Sequence, residues 1–300
     1  MNMALNPIII AAIAKQLNVD AHTIHVQVLK TEVLVSDATL KFLVYTNGNK
    51  QPQAFVLLSP AKKPNTIKSG YTKLCGLAKQ VGTQLAQNLL MPVEIGESDG
   101  LSYSISAYHR PLHNIVLLKQ IDNWRVSTSL VNWVIDVANA TKVNASVVEI
   151  ESKFNQPLTA LSQASGVKQA YKNTLIEAIE AINNGAWQPY FVSAHNDLWR
   201  GNVLNSKSTK FVLIDWDGVT LKGYAFYDLV RVAGSFKLNK AKFQIALQQY
   251  CDVMGCNKTQ ATYYLISAFA FLHANLGDWQ YERFLILLND CMEYFEANAN

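Results

Sequence analysis

Apolar positions change period along this chain. Between about residues 22 and 108 they come as short runs rich in β-branched and aromatic residues, at His25–Leu29, Thr39–Thr46 and Ala54–Ser59. Runs of that length and composition predict strands. Asn47-Gly48-Asn49, between the second and third, is a hairpin turn signal. Helical spacing follows over Tyr71–Leu90, then two short strands near Val93 and at Tyr103–Ala107. Beyond Pro111, three- and four-residue spacing over Ser129–Val143, Gln169–Asn183, Lys240–Met254 and Gln260–Ala274 predicts helices. Strand-like pieces at Pro189–Val192, Val203–Leu204 and Lys210–Ile214 interrupt them, set among polar loops. At the start, Ile8–Ala14 is apolar but Lys15-Gln16 breaks the run. With Asn6 as cap and Pro7 in the first turn, it predicts an amphipathic helix rather than a leader or a span.

These two textures predict an α+β chain of two lobes. Residues 1–110 form a small antiparallel-sheet lobe and residues 111–300 a larger, mainly helical one. They join near Ala107–Leu112, and such a plan places a ligand cleft between them.

Composition narrows the class. Half the residues are apolar and 16% are charged, which is ordinary for a soluble globular protein. No run reaches eighteen apolar residues, so no membrane span is expected. Cys75, Cys251, Cys256 and Cys291 form no CxxC pair and read as reduced thiols of a cytoplasmic protein. The excess of positive charge lies in residues 1–110, with ten Lys/Arg against six Asp/Glu, and later charges balance at sixteen each. That excess suits a lobe covering an anionic ligand, or is a scatter of solvated lysines. No basic run is interleaved with aromatics, so no nucleic-acid partner is expected. The phosphate-loop and dinucleotide glycine motifs are absent, and His22, His25, His109, His113 and His273 lack metal-ligand spacing. Oligomeric state is not legible.

The chemistry concentrates in Ser193-Ala-His195-Asn-Asp197-Leu-Trp-Arg200-Gly-Asn202-Val-Leu and, shortly after, Phe211-Val-Leu-Ile-Asp215-Trp-Asp217-Gly218. An apolar strand ending in Asp-Trp-Asp-Gly sets a carboxylate at a sheet edge, where the chain must turn. Phosphoryl transfer uses such an arrangement. Mg²⁺ is a hard ion that takes carboxylate and amide oxygens and offsets charge on the phosphates. A second carboxylate beside the acceptor hydroxyl orients it and takes its proton.

His195-x-Asp197-x-x-x-x-Asn202, followed by Ile214-Asp215-Trp216-Asp217, closely resembles the aminoglycoside phosphotransferase and choline kinase superfamily, relatives of protein kinases with a bilobal fold. The resemblance implies that Asp197 is the base, that Asn202 and Asp215 bind magnesium, and that His195 braces the loop. It implies ATP or GTP as donor and a small hydroxyl compound as acceptor. Asp228, in Ala225-Phe-Tyr-Asp228-Leu-Val, matches an aspartate that supports the loop. Adenine would meet the connector around Ser106, Ala107 and Tyr108. Asp217 holds the metal loop, faces substrate, or is a turn residue. Trp199 is either core or near the acceptor, and Arg200 either lies near acceptor or phosphate or makes a surface salt bridge.

The small lobe departs from the family pattern. Kinase-like proteins carry a third-strand lysine paired with a glutamate on the following helix. By hairpin register Leu58 takes the lysine's place, and Tyr71–Leu90 contains no Asp or Glu. The stretch Val33–Thr39 also lacks glycine. Lys41, on the neighbouring strand, is the expected replacement, with Lys62 and Lys63 behind it. The alternative is a pseudokinase, a nucleotide-binding or interaction module without turnover. The late segment His273–Arg283 mixes acids and aromatics. It reads as an amphipathic helix or as an acceptor surface for a sugar-like or cationic group. A neutral or singly charged acceptor fits the balanced charge better than a polycation.

Overall fold

The computed structural model describes residues 5–29, 39–277 and 279–299. The first helix, α1 (Pro7–Leu17), starts as its sequence dictates. The Asn6 side chain accepts from the Ile8 N–H at 2.8 Å and Pro7 occupies the first turn, where its missing N–H costs nothing. Strands β1 (Ile24–Leu29), β2 (Leu40–Thr46) and β3 (Ala54–Leu58) follow, then α2 (Thr66–Ala86), β4 (Glu94–Ser98) and β5 (Leu101–Ala107). The five strands make one antiparallel sheet in the order β1-β2-β3-β5-β4.

Period-two alternation gives this sheet two different faces. Phe42, Val44, Val56, Tyr103 and Ile105 pack with Ile9 and Ile13 of α1. Lys41, Leu43, Phe55, Leu57 and Ser104 turn the other way and roof a cleft. The register Leu40↔Leu58 and Lys41↔Leu57 corrects the sequence expectation by one residue. Leu58 packs on the α1 side, and Leu57 is the third-strand residue that faces the cleft. The hairpin turn at Gly48 (φ 82°) is also longer than the motif suggested, since pairing resumes only at Gln53, whose N–H reaches the Val44 carbonyl. The stretch Val33–Thr39 lies outside the described residues apart from Thr39.

The remainder is mainly helical. Helix α3 (Val116–Thr141) leads to β6 (Val143–Asn144), then α4 (Val147–Ile150), a π turn at Glu151–Asn155, α5 (Gln156–Gln163) and α6 (Gln169–Asn183). Strands β7 (Tyr190–Ala194), β8 (Val203–Ser206), β9 (Lys210–Leu213) and β10 (Thr220–Gly223) precede α7 (Tyr227–Phe236), α8 (Lys240–Met254), α9 (Lys258–Ala274) and α10 (Tyr281–Ala299). Strand β7 pairs with β6 and β10, and β8 pairs with β9 in a hairpin. One large core joins these elements through Phe154, Phe191, Phe226, Tyr264, Phe269 and Phe284. Each such side chain contributes about 1.5–3 kcal/mol when fully buried. Leu74, Leu77 and Val81 of α2 belong to this core too. The Trp133 indole N–H donates to the Leu85 carbonyl at 3.0 Å, so α2 is fastened to the helical part beneath the sheet.

Two expectations are corrected and one helical stretch is added. Helix α3 starts thirteen residues before Ser129, because the exposed apolar side chains of its first turns mask the period. Residues 147–163 are helical, opened by a capping box between Ser146 and Glu149, but short pieces and Pro157 hide the pattern. His273–Arg283 is not one helix: α9 ends at Ala274 and α10 begins at Tyr281, with Asp278 outside the described residues. Cys75, Cys251, Cys256 and Cys291 are all free thiols.

Candidate active site

Beneath the sheet lies a cavity of about 280 Å³. Lys41, Phe55 and Leu57 roof it, and Ile67, Gly70 and Tyr71 of α2 close its back. The connector Ser106–His109 forms one wall, and Leu204, Ile214, Asp215 and Asp217 form the floor. The structure thus brings five sequence-predicted residues, Lys41, Ser106, Ala107, Tyr108 and Asp215, to one cavity, together with Asp217. Lys62 and Lys63 are not among its lining residues.

The floor is built from the loop after β7. Asp228, near the start of α7, is buried and accepts the His195 N–H at 2.6 Å and the Asn196 N–H at 3.0 Å. Burial pushes its pKa up, opposed by His195, those two N–H groups and Arg231. The two bonds fix a sharp bend that Asn196 completes at φ 63°, a conformation asparagine tolerates. His195 is buried, and its Nε2–H donates to the Ile214 carbonyl at 2.9 Å while its ring packs on Trp216. The imidazole therefore ties the loop to the end of β9.

Asp197 follows the bend. The Asn202 side-chain amide donates to its carboxylate Oδ2 at 2.9 Å and to its backbone carbonyl at 2.8 Å. Arg231 Nη2 lies 3.4 Å from Oδ1. The carboxyl is half-exposed. Burial raises its pKa and nearby Asp215 adds to the rise, while Arg231, His195 and the Asn202 bond oppose it. A carboxylate held on both oxygens and still open to solvent can accept a proton from a hydroxyl placed against it.

Asp215 sits at the end of β9 in the left-handed region (φ 68°, ψ 66°), which aspartate visits more readily than most residues. Its carboxylate is exposed into the cavity and accepts no hydrogen bond from any described residue. Asn202 is buried, and with its amide nitrogen committed to Asp197 its Oδ1 is the atom left to accept. An unpartnered carboxylate and an amide oxygen fit Mg²⁺, which takes one or two carboxylates and completes its shell with water and phosphate. Among the described residues no group of three or more His, Cys, Asp or Glu could hold a metal.

Two residues near the loop each lose one of their two sequence readings. Trp199 is not core: it is 44% exposed and its indole lies over Gly201, where a Cβ would meet the ring at 2.4 Å. Arg200 makes no salt bridge with any described residue. Its guanidinium donates to Asn123 Oδ1 at 3.0 Å, Asn114 Oδ1 at 3.2 Å and the His113 carbonyl, which ties the loop to the start of α3.

Two further residues escaped the sequence reading. Lys73 of α2 donates to the Asp217 carbonyl at 2.6 Å. Arg231 lies three residues after Asp228, hence on the same face of α7. Once Asp228 is aimed at the loop, that spacing carries Arg231 there as well.

No family model and no curated protein matches this chain. Solved structures do. Aminoglycoside phosphotransferase APH(4)-Ia matches over 97% of this chain and 99% of its own at 12% identity, with a TM-score of 0.58. The GDP complex of aminoglycoside 2'-phosphotransferase-IIIa matches over 98% and 99% at 14% identity and 0.56. A choline/ethanolamine kinase family protein from Mesorhizobium loti matches over 91% and 88% at 11% identity and 0.50. APH(4)-Ia is also known in a ternary complex with ADP and hygromycin B. An antiparallel sheet over a mainly helical body, with the cleft between, is the kinase-like fold of the aminoglycoside phosphotransferases and choline kinases, and this chain has that fold.

Proposed function

We propose that this protein transfers the γ-phosphate of ATP or GTP to a hydroxyl of a small molecule. The observation that carries the reading is the arrangement at the mouth of the cavity. A half-exposed Asp197 is held by Asn202 and Arg231, beside an Asp215 carboxylate that no described residue occupies. Fold similarity to proteins that bind ADP or GDP supports the nucleotide. Residues 1–110 act as the nucleotide-covering lobe and residues 111–300 as the catalytic and acceptor lobe, in a cytoplasmic enzyme.

The base enters against the connector, where Phe55, Leu204 and Ile214 give apolar walls and the backbone of Ser106–Tyr108 gives donors and acceptors. The phosphates extend toward Asp215 under Lys41. Asn202 and Asp215 would hold magnesium, which when bound offsets charge on the phosphates. Asp197 takes the acceptor's proton as that oxygen bonds to the γ-phosphorus, and the bond to the departing diphosphate breaks. His195 and Asp228 keep the loop in place, and Lys73 holds the backbone of Asp217. The acceptor side offers Arg231 and the exposed Trp199 rather than a cluster of acids, which suits a neutral or weakly charged acceptor.

A panel of amino alcohols, sugars and aminoglycosides with Mg·ATP or Mg·GTP tests the reading. One acceptor should release the diphosphate, and Asp197→Ala should abolish that release. One observation favours a pseudokinase instead, the acid-free α2 opposite Leu57. Thermal stabilisation by nucleotide with no turnover on any acceptor would establish that alternative.

A further inference from the structure

Six large apolar side chains that the described surface exposes fall within ten consecutive residues, Ile115 to Trp124. Elsewhere such side chains come singly or in pairs, which is normal for a monomer. Helix α3 begins here with no side-chain cap, and all of Asn114–Leu118 is exposed. Its first turn therefore projects from the body. Leu117 is 72% exposed, and Trp124, two turns on, is 75% exposed.

The charge around this turn has one sign. Residues 101–135 contain one acid, Asp122, which is buried against His113 and Arg125. Residues 199–214, carrying the β8–β9 hairpin, contain none, and neither do residues 229–251. All three segments are adjacent. Pro111 bridges to Leu204, Lys210 Nζ donates to Ser129 Oγ at 3.1 Å, and Asn123 donates to the Phe236 carbonyl at 3.1 Å. Arg110 and Lys237 are exposed near the apolar turn, Lys207 and Lys210 are exposed on the hairpin that meets α3 farther along at Ser129, and Lys119 lies within the turn region.

We propose that this face docks on a membrane surface containing anionic lipid, with the first turn of α3 in the headgroup layer and Trp124 at its edge. Apolar side chains with an exposed tryptophan, ringed by lysine and arginine, are what interfacial binding uses. A second copy of the chain fits less well. A two-fold contact would bring two cationic rims together with no exposed carboxylate in these segments to receive them. Docking here is interfacial, and no described helix is long and apolar enough to cross a membrane.

The test is co-sedimentation of the whole protein with vesicles of phosphatidylcholine alone or with about 30% phosphatidylglycerol. Binding to the mixed vesicles should be at least about tenfold stronger and should weaken as salt is raised. Leu117→Asp with Ile121→Asp should reduce it about tenfold while the melting temperature holds. Tryptophan emission should shift to the blue on the mixed vesicles, and Trp124→Phe should remove that shift. Equal binding to both vesicle types, or none, overturns the proposal. So does a dimer in sedimentation velocity that Leu117→Asp dissociates, since that assigns the face to a second copy.

Discussion

Floor and roof of the cleft hold their charges in different ways. In the floor, three groups around Asp197 are fixed by short bonds: Asp228 by two backbone N–H groups, His195 by the Ile214 carbonyl, Asn202 by two contacts to Asp197. In the roof, lysines stand on β2 and on α2 and no acid stands on α2 at all. On the function proposed above, the difference follows from two tasks. A base and metal ligands must present oxygens at fixed points, so the floor tolerates little change. Offering positive charge to phosphates is a looser demand, and a long lysine from a neighbouring strand can meet it. The roof can move its cations while the floor keeps its carboxylates.

The sharpest way to break this comparison is in the floor. Asp197→Ala should lower kcat for diphosphate release by about 10³-fold, the usual scale for loss of general-base catalysis, while thermal stabilisation by Mg·ATP persists. A loss below about tenfold would remove Asp197 from the chemistry and the floor's special status with it.

The roof predicts a different kind of result. Lys41 and Leu57 are cross-strand partners on the cleft face, so a lysine at either position reaches the same space. Lys41→Leu should weaken Mg·ATP binding by about 10- to 100-fold, the scale of a lost charge-assisted contact. Adding Leu57→Lys to that variant should recover most of it. Recovery would show that the roof needs a charge and not a particular residue. If Lys41→Leu binds nucleotide as the parent does, the phosphates are met elsewhere.

Lys73 links the back of the cleft to its floor, because it stands on α2 and is bonded to the Asp217 carbonyl. Lys73→Met should lower kcat by about tenfold with little change in KM for the nucleotide, and Lys73→Arg should restore part of it. An equal loss in both variants would mean that α2 packing matters and the bond does not.

How much of this could be read from the sequence follows the same division. The floor was legible because its chemistry is local: His195 to Asn202 spans eight residues, and Asp215 closes the next strand pair. Strands β1–β5 and β7–β9 and helices α6 and α8 were legible because their apolar period matches the face they bury, whereas β6 and β10 were too short and polar to show. Illegible parts depend on contacts distant in sequence. Lys73 meets Asp217 across 144 positions, and nothing around Lys73 announces it. Leu58 was assigned to the cleft because one residue of register reverses a strand's faces. Only the β2–β3 pairing, with its longer hairpin, puts Leu57 there. The first turns of α3 hid their helix because they expose apolar groups that a periodic reading expects to be buried.

Arg231 allows the finest test, through a small shift in pH dependence. Burial raises the pKa of Asp197, and the Arg231 guanidinium, 3.4 Å from Oδ1, acts against that rise. In the proposed reaction Asp197 works ionised, so activity should fall on the acid side as it takes up a proton. Removing a neighbouring cation destabilises the carboxylate and raises its pKa further. Arg231→Gln should therefore move the acid limb of the kcat/KM profile to higher pH, by about one unit or less, because the half-exposed carboxyl is partly screened by water. At a pH well above the limb the two proteins should differ little if Arg231 acts only on the base. A limb that moves to lower pH would contradict the arrangement around Asp197. An unmoved limb with a raised KM for the acceptor would instead place Arg231 in acceptor binding, and the floor would then carry specificity as well as chemistry.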